Sequence, residues 1–255
     1  MVVITQAELK GVRALQQKKV RSETQRFLVQ GRKVVAELLA SALHIEIVLA
    51  TAEAAAWIGP AAARRNLQVH VLAQHELDRV GTFETGNELV AVATQPAAPE
   101  FRAPVGAELM LALDGVHDPR NMGGLLRIAD WFGVSRVMCS PDCMEIYNPK
   151  VVQSTMGSLF RVEVRYQPLA EVLQLCMAAG ASVLLASMDG TPVYQARLSL
   201  PAVLVLGSES HGLSATLRAM NAPVISIPRR GHAESLNVAM AAAALCTEFA
   251  RQCYR

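Results

Sequence analysis

Aromatic residues are scarce: Phe, Trp and Tyr make up 5% of the 255-residue chain, although 52% of it is hydrophobic. Ala, Val and Leu must therefore fill the interior, which favours small helices packed on sheets. No apolar run reaches the length of a membrane span, and Met1–Val20 is too polar and too charged for a secretory signal peptide. None of the five cysteines forms a C-x-x-C pair, and Cys139 and Cys143 are too isolated for a zinc site. The expectation is buried free thiols, no metal and a reducing cytoplasm. Three catalytic signatures are also missing: G-x-G-x-x-G, a Walker A lysine, and G-x-S-x-G. A dinucleotide site, a P-loop and a serine hydrolase are thereby disfavoured, and the adjacent Ser210–His211 pair lacks a clear orienting acid.

Net charge is small, +2, but unevenly spread. Residues 1–33 hold eight cations (Lys10, Arg13, Lys18, Lys19, Arg21, Arg26, Arg32, Lys33) against Glu8 and Glu23, or +6, so the remaining residues carry −4. A basic segment on a mildly acidic body suggests a polyanionic partner at that end.

At this length the chain suits one large domain or two small ones. Over residues 1–95 the hydrophobic periodicity predicts helices at 6–18, 32–43, 52–65 and 74–80. Strands are predicted at 27–29, 45–49, 67–72 and 88–94, giving a small α/β sandwich. Residues 96–106, with Pro96, Pro99 and Pro104, read as a semi-extended linker. Residues 107–255 form the second domain. Its strands are 109–113, 136–140, 160–166, 182–186, 202–206 and 223–227. Its helices are 125–132, 149–156, 169–179, 214–220 and one opened by Ser235 as N-cap. Strands that alternate with helices make a mainly parallel sheet.

Three Gly-rich loops follow three buried strands: Asp114–Gly124, Gly207–Gly212 and Pro228–Glu234. In a parallel sheet such loops share the carboxyl edge, where ligands bind. A helix starting beside the third loop aims free N–H groups into it, suiting a bound ligand or phosphate.

These loops carry a resemblance. NMGGLLR (Asn121–Arg127), LVLGSESHGLS (Leu204–Ser214) and IPRRGHAESLNVAMA (Ile227–Ala241) resemble, in order and separation, the three motifs of the SpoU (TrmH-type) RNA ribose methyltransferases. The N-terminal stretch QKKVRSETQRFLVQGRKVVAELLAS is similar to that family's ribosomal-protein-like RNA-binding domain, with Gln30 where many relatives carry an acid. The resemblance implies a SPOUT-type catalytic domain with a C-terminal trefoil knot, a homodimer with the active site at the subunit interface, and S-adenosylmethionine as cofactor. It implies methyl transfer to a ribose 2′-hydroxyl of structured RNA, most readily ribosomal RNA. A tRNA enzyme and a non-catalytic RNA-binding protein of the same fold are the alternatives.

Residue by residue, the resemblance makes Arg127 catalytic, either as base or as electrostatic stabiliser, with Asn121, Glu209, Ser235 and Asn237 completing the catalytic set. Glu209 could orient Arg127 or its own loop. Gly207, Ile227 and Leu236 match positions whose backbones hold the cofactor. Arg229 and Arg230 are solvated charges or phosphate contacts, and Lys18, Lys19, Arg21 and Arg26 are the RNA-docking cations of the basic segment. Lys150 is a further candidate phosphate contact. His117, His211 and His232 sit in the three loops at spacings that support no metal.

Overall fold

Two sheets organise the chain, and each follows the strand–helix alternation of the sequence. The computed structural model describes residues 4–82, 86–97 and 100–254. In chain order the elements are α1 (Gln6–Ala14), α2 (Lys18–Thr24), β1 (Arg26–Gln30), α3 (Arg32–Ala40), β2 (Ile45–Ala50), α4 (Ala52–Arg64), β3 (Val69–Val71), α5 (Gln74–Val80) and β4 (Leu89–Thr94). Then come β5 (Leu109–Asp114), α6 (Pro119–Trp131), β6 (Arg136–Cys139), α7 (Pro149–Thr155), β7 (Glu163–Tyr166), α8 (Leu169–Ala178), β8 (Ser182–Pro192), β9 (Ala202–Gly207), α9 (Ala215–Arg218), β10 (Val224–Ser226) and α10 (Val238–Cys253). They fall into two compact units: Met1–Ala97 joined by Glu145–Arg161, and Ala98–Met144 joined by Val162–Arg255.

The first unit is built on a four-stranded sheet in the order β1-β4-β2-β3. Strand β4 runs antiparallel to both β1 and β2, whereas β2 and β3 are parallel. Leu15, Leu28, Leu49, Leu77, Val90 and Val92 close one core, each contributing about 1.5–3 kcal/mol by leaving water. Segment 145–161 belongs to this unit: α7 packs on β1, and Tyr147 sits against Phe27 with ring centroids 4.7 Å apart. Burial there pushes the Tyr147 hydroxyl up to about 12.

The helix expected over 6–18 ends at Ala14, a second helix runs from Lys18 to Thr24, and Arg21 ties the break between them. Its Nη1 donates to the carbonyls of Leu15 (2.8 Å) and Gln16 (2.9 Å), which lie between α1 and α2. Its Nε donates to Glu145 at 3.1 Å, and Nη2 pairs with the second oxygen of that carboxylate. The side chain is only 2% exposed. Arg21 is therefore not an RNA-facing cation as the charge pattern suggested; it is a buried strut. Removing one partner of a buried ion pair leaves the other uncompensated. Arg21→Ala should lower stability by roughly 3–5 kcal/mol, read as a fall in the denaturant midpoint with the m-value unchanged.

The second unit holds a six-stranded sheet, β10-β8-β9-β5-β6-β7, in which every pairing is parallel. Met110, Ala112, Val203 and Val205 from its centre pack with Leu173 and Cys176 of α8. The stretch taken for a linker is partly core: Phe101 and Ala103 pack against this cluster and Pro104 is buried, while Pro99 lies outside the described residues. Four of the five free cysteines, Cys139, Cys143, Cys176 and Cys246, are buried. No described helix is long and apolar enough to cross a membrane.

Two helix starts differ from the sequence reading. Helix α6 begins at Pro119 rather than near Leu125, because Asp118 accepts from the N–H groups of Arg120 (2.8 Å) and Asn121 (2.9 Å) and Pro119 is preset for the first helical position. Helix α10 begins at Val238, capped by Asn237 and not by Ser235, with Oδ1 of Asn237 accepting from Ala239 (2.9 Å) and Met240 (3.3 Å).

Candidate active site

The register of β5 on β9 places Asp114 opposite Gly207, so the first and second loops leave the sheet side by side. Asp114 fixes them further, its Oδ2 accepting the N–H of Ser214 at 2.6 Å. Within the second loop, Ser208 and Gly212 exchange both backbone hydrogen bonds, at 3.0 and 2.9 Å. Gly207 is required by that closure. A Cβ there would fall inside the carbonyl group of Gly212 and the amide nitrogen of Leu213, and all of these are backbone atoms.

One hydrogen-bond chain then links the three loops. The N-terminus of α10 holds Oδ1 of Asn237 as an acceptor, which leaves its Nδ2 to donate to Oδ1 of Asn121 at 2.8 Å. Nδ2 of Asn121 in turn donates to the carboxylate of Glu209. Each amide has one accepting and one donating end, so the free N–H groups of α10 dictate the orientation of both asparagines and require an acceptor at Glu209. Asn121→Asp would place a carboxylate against Glu209 and leave Asn237 as the only donor. That variant should lose cofactor binding and turnover by at least about tenfold, since an unpaired charge-bearing contact costs about 1.5–3 kcal/mol; titration calorimetry against wild type measures it.

Beside this chain lies a cleft of about 800 Å³. Leu206, Ile225, Ile227, Leu236, Val238 and Leu245 supply apolar walls, the second and third loops supply bare backbone, and Arg229, Arg230 and Ser235 stand at its edge. Volume and lining suit a drug-sized ligand with a flat apolar ring and few polar handles. S-adenosylmethionine, the group implied by the motif resemblance, fits that description: its adenine needs apolar walls and backbone amides, and its sulfonium needs no phosphate cradle. Gly207, Ile227 and Leu236 all line the cleft.

Arg127 is elsewhere. It lies exposed on α6 and lines a second depression of about 420 Å³ with Gly124, Ile128, Trp131, Phe132 and Ala243. Glu209 thus orients Asn121 rather than Arg127. Helices α6 and α10 run close there, a Cβ on Gly124 falling 3.3 Å from the Cβ of Ala239. The same two helices expose large apolar side chains: Trp131 of α6 at 84% and Met240 of α10 at 66%.

Other residues entered the site without a sequence signal. Arg218 of α9 clamps the second loop, donating to the carbonyls of Leu213 (2.9 Å) and His211 (3.2 Å). Strand β8 runs past Ala186, so Ser187, Met188 and Asp189 line the cleft. Cys143 braces the first loop, its Sγ accepting from Val116 N–H (3.3 Å) and donating to the Leu113 carbonyl (3.2 Å). A hydrogen bond with Cys139 brings its thiol down to about 7. His117 approaches Asp142 at 3.7 Å and His211 meets the Ser210 hydroxyl at 2.8 Å. Among the described residues no three His, Cys, Asp or Glu side chains form a metal-binding group.

Comparison with known proteins identifies the family. Residues 108–247 match the SpoU rRNA Methylase family and residues 6–91 the MRM3-like substrate binding domain. The 23S rRNA (guanosine(2553)-2′-O)-methyltransferase RlmP of Bacillus subtilis is 30% identical over 239 residues, covering 93% of this chain and 94% of that protein. A TrmH-family structure from Porphyromonas gingivalis superposes with a TM-score of 0.85 at 35% identity, over 98% of this chain and 99% of that one. AviRb of Streptomyces viridochromogenes, a SpoU methyltransferase solved with S-adenosylmethionine, gives 0.84 at 27% identity over 97% and 98%. This chain is a member of the SpoU rRNA methylase family, preceded by a substrate-binding domain of the MRM3-like kind.

Proposed function

We propose that this protein transfers the methyl group of S-adenosylmethionine to a ribose 2′-hydroxyl of 23S ribosomal RNA, in the cytoplasm and as a homodimer. The observation that carries the reading is the hydrogen-bond chain Asn237–Asn121–Glu209, which locks the three motif loops beside an apolar cleft with bare-backbone walls. The substrate class is taken from relatives such as RlmP.

When bound, S-adenosylmethionine supplies a sulfonium-activated methyl group. The residues of the chain do the rest. Gly207, Ile227 and Leu236 hold the adenosyl portion, while the asparagine–glutamate chain fixes the loops so that the hydroxyl approaches in line. A guanidinium stays protonated at any ordinary pH. Arg127 therefore acts by pinning a phosphate and stabilising the negative charge that develops on the ribose oxygen. Since Arg127 lines a depression separate from the cleft of its own subunit, beside the exposed Trp131, a second copy docked on the α6–α10 face would bring Arg127 to the partner's cleft. A C-terminal trefoil knot, implied by the family likeness, fits a cleft bordered by both β8 and the third loop. Ribose-methylation mapping of total RNA from cells with and without the gene tests the whole reading: one 23S site should vanish. A lost tRNA site, or no lost site, would overturn the substrate assignment.

RNA docking is assigned to Lys18, Lys19 and Arg26 in the first unit, with Arg229 and Arg230 at the cleft. Lys18 and Lys19 are exposed; Arg26 is half-buried and pairs with Glu46 at 3.1 Å. Affinity should fall with salt by about 0.7 to 0.9 log units per phosphate contact. Neutralising Lys18, Lys19 and Arg26 together should flatten the slope by about 2 to 3 while cofactor affinity holds. An unchanged slope in the folded triple variant would return these cations to solvent.

A further inference from the structure

Both tryptophans of the chain are exposed. Trp131 belongs to the α6–α10 face. Trp57, in the middle of α4, is 48% exposed and nothing in the site described above uses it. The other large hydrophobic side chain exposed among the described residues of its unit is Val71, on β3. A solitary aromatic ring is poor material for protein docking, which needs contiguous apolar area.

Its surroundings are charged and ordered. The guanidinium carbon of Arg32, first residue of α3, lies 5.7 Å from the centroid of the Trp57 ring, within the range of a cation–π contact. Arg32 is held there from two sides, by Glu53 of α4 at 2.6 Å and by Glu88 ahead of β4 at 3.5 Å. Lys33 is exposed beside it, and Arg64 is exposed two turns along the Trp57 face of α4. Arg32 thus lies over the indole while paired with two carboxylates, and about half of the Trp57 side chain is left to solvent, with Lys33 and Arg64 as further exposed cations in the same two helices. An ordered π-face next to positive charge is how proteins stack unpaired nucleic-acid bases with little regard for sequence.

We propose that Trp57, backed by Arg32, is a stacking platform for an unpaired base of the RNA that this protein methylates, and so a positioning residue for its substrate. The proposal rests on the reading of the chain as an RNA methyltransferase.

The full-length Trp131→Phe protein leaves Trp57 as the sole tryptophan, so its fluorescence reports the platform directly; because Trp131 lies on the α6–α10 face, methyl transfer is measured on Trp57 variants that keep Trp131. Three probes are titrated: short oligoadenylate, deproteinised 23S ribosomal RNA, and inorganic polyphosphate, which has the charge without the bases. Anisotropy of labelled RNA follows binding independently. Oligoadenylate and 23S RNA should quench Trp57, and polyphosphate should not. Trp57→Ala should weaken RNA binding about 5- to 150-fold, the range one base–aromatic stack supplies, and Trp57→Phe only a few-fold. In methyl transfer the loss should appear in KM for RNA with kcat nearly unchanged. RNA that binds by anisotropy without quenching, or a Trp57→Ala protein that binds as tightly as Trp57→Phe, would overturn the platform alone. Failure of both RNAs to bind at all would overturn the RNA reading together with it.

Discussion

Arg127→Ala is expected to cut methyl transfer by at least about a hundredfold, the scale of losing one preorganised group that stabilises developing charge, while S-adenosylmethionine binds almost as tightly as before. The separation follows from the geometry: Arg127 lines the α6–α10 depression, which shares no lining residue with the cleft. Arg127→Lys keeps the charge but loses the planar fork that grips a phosphate, and should remain badly impaired. Calorimetry with the cofactor and single-turnover assays with RNA measure the two halves. Mixing Arg127→Ala with a cleft-defective protein extends the test. In a mixed dimer one subunit keeps its arginine and the other its cleft, so activity should reappear if the two act across the interface. Retained turnover in Arg127→Ala would remove the residue from the reaction.

Gly207→Ala should also have a large effect, on cofactor affinity and through a different cause. A methyl group at this position collides with the backbone of Gly212 and Leu213, and no side-chain rotation relieves it. The bridge between Ser208 and Gly212 must open, which displaces Glu209 and breaks its link to Asn121. Forcing a methylene into such packing costs about 1–3 kcal/mol, and cofactor affinity should fall by about tenfold or more. Gly11→Ala is the control. Gly11 sits inside α1 with nothing within 4 Å of its added Cβ, so this variant should gain about 0.5–1 kcal/mol of stability and bind cofactor normally. Equal behaviour of the two variants by titration and thermal denaturation would show that Gly207 carries no packing constraint.

What could be read in the sequence was local or topological. Leu109–Leu113 and Ala202–Leu206 are continuous apolar runs, so their burial in a parallel sheet was legible, and parallel order alone gathers the following loops at one edge. What could not be read depended on distant partners. Ser235 and Asn237 are both good N-caps, and Asn237 also bonds to Asn121, 116 residues away. Arg21 looked like its exposed neighbours because its acid, Glu145, lies 124 positions downstream. The glycine pair Gly123–Gly124 suggested a loop, yet Asp118 and Pro119 had already started a helix through it. Arg218 and Asp189 carried no signal, since only the path of the chain brings them to the cleft.

The return of Glu145–Arg161 to the first unit has a consequence for how such proteins can be assembled from parts. The chain passes between the two units three times, near residues 97, 144 and 161. A gene fusion or truncation that cuts only at the proline-rich stretch therefore does not separate two self-sufficient modules. It takes Glu145 away from the buried Arg21, Tyr147 from Phe27, and α7 from β1. Every described residue that lines the cleft stays with the C-terminal piece. An exchange of substrate-binding domains between relatives would thus have to carry this seventeen-residue return segment along, matched to its own β1.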